Sequence, residues 1–414
     1  MFDFVRTLDF LAPSFWLFVA AALALSWAAP RSLRRQVVLA ASLVFLVNLL
    51  PLPSLLLYAL LLLATFGAGR VVAARGSGST PAFYLSIALL IGLFFVIRHP
   101  QAREFLGARL LGTGAFDRDV ALLVGYSYFM FRAINFLITV RVGTLRQFGF
   151  LDYANFMLFF AAFTAGPIAR FVDEADAPFA ERSDLDRSVA GVHRILNGLI
   201  KKYVFVDIVA QFSLAAFDSP ANIASVGIGW LATWTYLLYV YLDLSAYSDI
   251  AIGIGLLFGF RLPENFNFPL LRSNLVRFWE NWHMSLTSWI RDHVFTPISW
   301  RFLQAGGSRG DGVFWGVPHI ATMVIFGIWH APTSAFVVFG LIHGVALASC
   351  QKVIAWRRRA LGDGANRFLD EHPLARALGV AAVQLFVAVT LILIRYDLTD
   401  SVDLMRFLFT GARP

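Results

Sequence analysis

The chain has 414 residues, of which 14% are charged and 58% are hydrophobic, whereas soluble globular domains carry about 25% charged residues. This composition, with a mean hydropathy of +0.69, excludes a disordered chain and indicates a protein embedded in a lipid bilayer. The net charge of +8 comes from short basic clusters between apolar runs, which is typical of cytosolic membrane loops and not of a nucleic-acid surface.

Apolar runs follow one another along the chain and predict an all-α polytopic membrane protein of about ten to eleven spans. The runs are Leu11–Ala29, Val37–Leu50, Leu55–Gly69, Pro81–Ile97, Val120–Val140, Phe148–Ile168, Val189–Ala216, Val226–Phe260, Val313–Trp329, Ser334–Cys350 and Ala375–Ile394. Arg31, Arg34 and Arg35 follow the first run, whereas a cleaved signal carries its basic residues in front, so this run is expected to be a span. The second and third runs are expected to form a helical hairpin. Its two ends, marked by Arg34 and Arg35 and by Arg70 and Arg75, are basic, which predicts that both lie on the cytosolic side.

Polar stretches separate some of these runs. The segment Arg70–Thr80 contains Gly and Ser and predicts a flexible loop, and Arg170–Ser188 is rich in charged residues and is expected to lie in water. Between Arg261 and Gly312 the hydropathy falls. Within that region, Leu275–Asp292 predicts an amphipathic helix at the interface or in a re-entrant position. The two prolines of Arg261–Pro269 predict an ordered loop or a re-entrant turn.

Three histidines stand out because polar side chains inside apolar segments are costly and therefore often functional. His330 ends an apolar run directly before Ala331 and Pro332, where proline frees backbone groups. His343 lies in the middle of the next run, and His283 follows Trp282 on the predicted amphipathic helix. Three histidines could also bind a metal ion, but their spacing matches no local ligand motif, so no metal is expected. The single cysteine, Cys350, excludes an intramolecular disulfide.

A second polar cluster covers Tyr241–Asp249. Asp243 and Tyr247 are four residues apart and share a helix face, so either could orient an imidazole or cap a broken helix. Asp249 is expected to have a structural role, because two glycines just beyond it favour close helix packing.

Three of these blocks resemble the membrane-bound O-acyltransferase family: Tyr241–Pro269, Phe278–Asp292 and Gly327–Gly344, in that order. Thr164–Arg170 is similar to an earlier motif of the same family, and the resemblance runs from about Gly125 to the C-terminus. The branch is that of bacterial enzymes that acylate cell-envelope polymers, of the alginate O-acetylase and teichoic-acid D-alanyl transfer types. The length of the chain and the residues of the last two blocks look closer to the D-alanyl type.

The resemblance implies one membrane acyltransferase domain over residues 1–414, with helices around a central polar tunnel. Residues 121–414 would be the catalytic core, and residues 1–120 match in hydropathy only. It also implies that His330 is the catalytic histidine, that His283 takes the second polar position of the family, and that His343 lies in the accompanying motif. Supporting or substrate-binding roles are expected for Trp282, Trp329, Asp243, Tyr247 and His343. Ala331 stands where many relatives have Gly, which predicts a different pocket shape there.

Acyl transfer from a thioester to a hydroxyl needs a base for the hydroxyl proton and hydrogen-bond donors for the tetrahedral oxyanion. His330 suits the first task, and His283, tryptophan N–H groups or helix-end N–H groups suit the second. The sequence has no Gly-x-Ser-x-Gly elbow and no cysteine in an activating setting. Direct attack in a ternary complex is therefore expected in place of an acyl-enzyme.

The expected donor is a cytosolic thioester, either a phosphopantetheine-linked acyl carrier protein or an acyl-CoA such as acetyl-CoA, and no permanently bound cofactor is expected. Basic clusters, including Arg357–Arg359, are expected to mark the cytosolic face and to attract an acidic carrier or coenzyme A phosphates. The expected acceptor is an envelope polymer at the cell (inner, cytoplasmic) membrane, reached with an extracytoplasmic acyltransferase partner. The acyl group, acetyl or D-alanyl, is left open.

Two other function classes compete with the acyltransferase. A transporter or flippase of a lipid-linked glycan could use the same intramembrane His and Asp residues. The Trp282–Leu286 block and the lack of a visible internal repeat favour the enzyme. A structural scaffold is a third interpretation, which is disfavoured because a scaffold needs no buried imidazoles.

Overall fold

The computed structural model describes residues 12–75, 81–98, 125–145, 147–171, 184–305 and 316–412, apart from the side chains at 363 and 365–370. Within these ranges the chain is helical, and its one isolated β-bridge joins Phe266 to Trp282. Several predicted features lie outside the described residues: residues 76–80 of the predicted loop Arg70–Thr80, most of the polar stretch Arg170–Ser188, and the first residues of the runs Leu11–Ala29, Val120–Val140 and Val313–Trp329. The first part of that loop prediction is wrong, because the helix Leu52–Arg75 continues through it, with no Gly or Pro between Arg70 and Arg75 to end it.

The first of two compact units comprises Met1–Leu199 and Tyr247–Pro263. Its helices are α1 (Pro13–Ala28), α2 (Arg34–Leu49), α3 (Leu52–Arg75), α4 (Pro81–Arg98), α5 (Tyr126–Val142), α6 (Phe150–Leu158), α7 (Phe160–Phe163) and α8 (Leu185–Ile200). The last turns of the long helix α10 (Val226–Leu257) also belong to this unit. Aromatic side chains fill its core, where the ring of Phe159 stacks on Phe260 with centroids 4.1 Å apart.

Asp249 has the structural role that the neighbouring glycines predicted. Its carboxylate pairs with Arg194 at 3.1 Å. Beside this pair, α8 and α10 approach so closely that a Cβ on Gly253 would lie 2.6 Å from the carbonyl oxygen of Gly191. Small residues permit this backbone approach inside a membrane, and the ion pair then joins the same two helices.

The second compact unit comprises Ile200–Ala246 and Glu264–Pro414. It begins with a π-helical turn, Lys201–Phe205, and holds the first part of α10. Its other helices are α9 (Val206–Phe212), α11 (Leu275–Asn281), α12 (Met284–Ile290), α13 (Thr296–Gln304), α14 (Val317–His330), α15 (Ser334–Glu371), α16 (Pro373–Arg395) and α17 (Leu398–Thr410). A second π-helical turn, Arg291–Phe295, joins α12 to α13. Helix α17 was not predicted, because it is a short amphipathic helix with no long apolar run.

Helices α14 and α15 form an antiparallel hairpin with its closed end at residues 331–333. Glycines let the two backbones touch: a Cβ on Gly344 would lie 2.5 Å from the Cα of Ile320, and one on Gly340 would overlap the carbonyl group of Met323. The close packing therefore fixes the axial register of the two helices. It places His330 at the closed end and His343 roughly 13 Å further along α15, at 1.5 Å per residue.

Five of the described helices are long and apolar enough to cross a membrane: Leu52–Arg75, Pro81–Arg98, Val226–Leu257, Ser334–Gly362 and Pro373–Arg395. Pro13–Ala28 and Val317–His330 are shorter apolar helices. The all-α membrane-integral architecture is thus confirmed, while the count of ten to eleven spans and the central tunnel stay predictions.

Three predicted helical runs are interrupted. Phe148–Ile168 divides into α6 and α7 at Phe159, which leaves the helical conformation, and Val189–Ala216 contains the π-helical turn after α8. The prediction of one amphipathic helix over Leu275–Asp292 is wrong, because α11 ends at Asn281 and α12 begins at Met284. Aromatic periodicity continues through this break, so hydropathy alone gave no sign of it.

Candidate active site

The break between α11 and α12 is held by pairing with a neighbouring loop. The amide of Asn267 donates to the carbonyl of Asn281 at 3.1 Å, and the amide of Met284 donates to the carbonyl of Asn265 at 2.8 Å. These two bonds flank the antiparallel pair Phe266 and Trp282. The predicted Arg261–Pro269 loop is therefore an ordered segment, and its partner is the break that carries His283.

His283 adopts a left-handed backbone conformation with φ +45°, which is uncommon for any residue other than glycine. It occupies the N-cap position of α12 without using its side chain as a cap. Asn265 supplies the cap: its Oδ1 accepts from the Ser285 hydroxyl at 2.6 Å and from the Ser285 amide at 3.3 Å. The first two amides of this helix, those of Met284 and Ser285, are thus bound to Asn265 and are not free for an oxyanion.

The imidazole of His283 is buried, with 8% of its surface exposed. It lies near the ring of Phe266, with centroids 6.4 Å apart. Burial lowers the pKa of His283 to about 4, and a hydrogen bond to its own backbone partly offsets the effect. The ring is therefore neutral at physiological pH, and its Nδ1 makes no hydrogen bond to another described residue.

Trp282 lies inside an aromatic cluster on both sides of the break. Its ring stacks on Phe278 with centroids 5.2 Å apart and contacts Phe266 edge-on at 5.3 Å. Tyr241 of α10 contacts the same Phe266 ring at 5.4 Å. This cluster surrounds the peptide that carries His283 with rigid side chains, as a site that holds a reacting group in place requires.

His343 is fully buried, and both of its ring nitrogens are bonded. Trp279 donates its indole N–H to Nδ1 at 3.3 Å, and Nε2 lies 2.9 Å from the Thr390 hydroxyl. Because an indole nitrogen can only donate, Nδ1 is the acceptor and Nε2 carries the proton. The Thr390 hydroxyl in turn donates to carbonyls within α16, at 2.9 and 3.0 Å. His343 thus anchors Trp279 and has no nitrogen left for a substrate.

His330 lies among aromatic rings at the closed end of the hairpin. Its imidazole contacts Phe326 at 4.6 Å and Trp329 at 4.4 Å between centroids, and it stacks on Phe336 at 5.9 Å and 23°. Trp279 contacts Phe326 edge-on at 5.3 Å. A continuous series of side chains therefore joins His343 to His330 through Trp279 and Phe326.

A cavity of about 170 Å³ is lined in part by Trp279 and Phe326. It is mostly apolar, and its polar lining residues are Glu280, Thr287, Arg291, His319, Thr322 and Gln351. His319 is near the start of α14 and Gln351 is far along α15, so the cavity lies toward the open end of the hairpin. An apolar cavity with a few polar groups is typical of a small-molecule site.

Asp243 and Tyr247 contact partners other than histidine. Asp243 forms a buried ion pair with Lys202 of the π-helical turn, and Lys201 donates to the Ser245 hydroxyl at 2.8 Å. Tyr247 belongs to the first unit, where its hydroxyl is hydrogen-bonded to Thr164 of the early motif. Their expected role in supporting the site stays a prediction.

Three side chains of this site had no predicted role: Trp279, Asn265 and Thr390. An indole N–H beside a run of aromatic residues gives no hint of its acceptor, because the acceptor lies far away in sequence. Asn265 was recognised only as part of an ordered loop. Among the described residues, no group of three or more His, Cys, Asp or Glu side chains is arranged to hold a metal ion.

Comparison with known proteins identifies similar chains. The probable alginate O-acetylase AlgI of Azotobacter vinelandii is 34% identical over 230 residues, which cover 55% of this chain and 44% of the relative. The teichoic acid D-alanyltransferase of Streptococcus thermophilus is 29% identical over 273 residues, 62% of this chain and 64% of the relative. The peptidoglycan O-acetyltransferase of Helicobacter pylori is 34% identical over 203 residues, 48% and 37% of the two chains.

Each match thus covers less than two thirds of the relative's length. Identity is higher to the acetylases, whereas the match to the D-alanyltransferase is longer. The sequence model of the family described as "MBOAT, membrane-bound O-acyltransferase family" matches residues 44–361. This match begins well before Gly125, where the motif resemblance began, and includes His283, His330 and His343. The chain belongs to the membrane-bound O-acyltransferase family.

Proposed function

We propose that the protein transfers an acyl group from a cytosolic thioester to a hydroxyl of a cell-envelope polymer. The observation that carries this proposal is the placement of His330 at the closed end of the α14–α15 hairpin, against the rings of Phe326, Trp329 and Phe336. Aromatic rings flank this partly exposed imidazole, so a thioester held against them is partly shielded from hydrolysis.

In the proposed reaction, His330 takes the proton of the acceptor hydroxyl as its oxygen attacks the thioester carbonyl. The new C–O bond gives a tetrahedral oxyanion, and neutral His283 donates its ring N–H to this oxygen. The intermediate then collapses, the C–S bond breaks, and the leaving thiolate receives the proton from His330. No acyl-enzyme forms, and the products are an ester and a free thiol.

The donor is proposed to enter from the cytosol through the cavity at the open end of the hairpin. Arg357, Arg358 and Arg359 follow this end on α15, and the positive-inside rule assigns such clusters to the cytosol. Their charge suits an acidic carrier protein or the phosphates of coenzyme A. The cavity shares Trp279 and Phe326 with the series that reaches His330, which supports a route for a thin donor arm.

The acyl group is proposed to be acetyl or D-alanyl, because the similar proteins are named for both transfers. The proposed location is the cytoplasmic membrane, with an envelope polymer and an extracytoplasmic acyltransferase partner on the outer side. A carrier protein or acetyl-CoA would be the matching donor. Identity alone favours acetyl, whereas the extent of the match favours D-alanyl.

The test is to reconstitute the protein in vesicles with labelled acetyl-CoA or a labelled D-alanyl carrier protein and a glycan acceptor. We expect hydroxylamine-labile label on the acceptor with one of the two donors, and none in protein-free vesicles. Movement of the glycan across the bilayer without esterification, with both donors and extracytoplasmic partners supplied, would favour the flippase and contradict the proposal.

A further inference from the structure

We infer that Asn265 is a positioning residue that holds the imidazole of His283 in its working orientation. The inference rests on the proposed function only for its effect on turnover, because the effect on the orientation of His283 is measurable without any reaction. Asn265 is itself buried, with 3% of its surface exposed, and it lies in the loop before α11, 18 residues before His283 in the sequence.

The argument begins with the start of α12. The first amide groups of a helix have no partner within the helix, and the N-cap side chain normally accepts one of them. Here the N-cap residue is His283, whose side chain forms no cap. Asn265, which lies outside the helix, replaces the N-cap side chain. Its backbone carbonyl accepts from the Met284 amide at 2.8 Å, and its side-chain Oδ1 accepts from the amide and the hydroxyl of Ser285. The imidazole of His283 is thereby released from capping.

The second step concerns the backbone of His283. A left-handed conformation at a residue other than glycine persists only where the surrounding structure imposes it. The bonds from Met284 and Ser285 to Asn265 fix the peptide directly after His283. The Thr287 hydroxyl fixes the other side, since it donates to the Trp282 carbonyl at 2.9 Å. Removal of the Asn265 side chain deletes both bonds to Ser285 and leaves only the backbone bond from Met284, so one side of His283 is held less firmly and its ring direction is less closely set.

The chain offers a matched control in the same pair of segments. Asn281 lies on the other side of the bridge, where its side chain accepts from Arg272 at 2.9 Å and donates to the Arg277 carbonyl. Asn281→Ala therefore removes an amide of the same size from the same structure without changing the cap of α12. Ser285→Ala is a milder variant, which removes the hydroxyl bond to Oδ1 and keeps the amide bond.

The experiment compares the wild type, Asn265→Ala, Asn281→Ala, Ser285→Ala, His283→Ala and the double variant Asn265→Ala/His283→Ala. All six proteins are measured for acyl transfer, with kcat and KM separated. The four that retain His283 are also measured for the rate at which diethylpyrocarbonate modifies this residue, read by mass spectrometry. The modification needs no substrate, so failure of the proposed function leaves this measurement intact.

Asn265→Ala is expected to speed modification of His283 and to lower kcat about 10- to 100-fold, the effect of a small misplacement, with little change in KM for the donor. Ser285→Ala should act in the same direction but less, and Asn281→Ala should match the wild type. The double variant should be no slower than His283→Ala. The inference would be overturned if His283 were modified at the wild-type rate in Asn265→Ala. It would also be overturned if the loss of kcat in the double variant equalled the product of the losses in the two single variants.

Discussion

Trp279 donates its indole N–H to Nδ1 of His343 over 3.3 Å, and this single bond joins α11 to the interior of the α14–α15 hairpin. Because the Thr390 hydroxyl is hydrogen-bonded to the other ring nitrogen of His343, the imidazole is held in place and in turn fixes the indole of Trp279. The face of Trp279 is then held against Phe326, which contacts His330. A histidine with no free nitrogen thus orders the aromatic residues around His330, the proposed catalytic histidine.

Trp279→Phe is predicted to destabilise the protein by about 1–3 kcal/mol, because it leaves Nδ1 of His343 buried without a donor. The aromatic ring is kept, so the change isolates the hydrogen bond. A thermal melt in detergent measures the effect, with Trp300→Phe as control, since Trp300 is 59% exposed. Equal melting temperatures for the two variants would show that the bond contributes nothing.

Acidification is predicted to destabilise the protein through His283. Its pKa is about 4 in the folded state and about 6.5 when unfolded, so between these values the unfolded chain binds a proton that the folded chain does not. The contribution of His283 to the free energy of unfolding is therefore fully present above pH 6.5. It is lost as the pH drops toward 4, by up to about 3 kcal/mol.

Melting temperature against pH tests this prediction. His283→Gln should reduce the loss of stability between pH 6.5 and 4, whereas the exposed His372→Gln should keep the wild-type slope. Identical slopes in the wild type and His283→Gln would mean that His283 is not the buried neutral histidine described here.

Gly340→Ala is predicted to separate α14 from α15. The added Cβ would overlap the backbone of Met323 and lie 2.8 Å from the Cα of Val324, and backbone cannot move aside as a side chain can. Gly92→Ala is the matched control in α4, because its Cβ would meet nothing within 4 Å, and alanine favours a helix. We expect a lower melting temperature for Gly340→Ala only; a drop for both would contradict the close approach.

Lys202→Met is predicted to be strongly destabilising because it leaves the Asp243 carboxylate buried without its cation. The two side chains are 12% and 1% exposed, and removing one partner of such a pair costs about 3–5 kcal/mol. The double variant Lys202→Met/Asp243→Leu removes both charges and should recover most of the loss. A double variant no more stable than the single one would argue against a direct pairing.

Much of the architecture followed from the sequence, because lipid imposes a strong pattern. Long apolar runs correspond to helices such as α3, α4, α10 and α16, and the proline after His330 ends α14 where expected. The breaks at Phe159 and at His283 did not follow. Each break lies where the chain contacts a residue distant in sequence, Phe260 for the first and Asn265 for the second, and neither leaves a local composition signal.

The candidate site, too, could be predicted only in part from the sequence. His330, His343 and His283 were recognisable as polar residues in an apolar context, while the supporting roles of Trp282 and Trp329, their neighbours in the sequence, stay predictions. The role of His343 required the structure, because only the contacts to Trp279 and Thr390 reveal that both nitrogens are occupied. Asp243 was recognised as a polar residue that shares a helix face with Tyr247, but its cation, Lys202, is carried by a π-helical turn that apolar periodicity does not reveal.

The most direct test of the central claim is the rate of ester formation by His330→Ala in reconstituted vesicles with the labelled donor that the wild type uses. We predict a fall of about 10²–10⁴-fold, the usual contribution of a general base. The melting temperature should be unchanged and the protein should insert normally into the membrane, with His372→Ala retaining the wild-type rate. A wild-type rate of ester formation in His330→Ala would contradict the account.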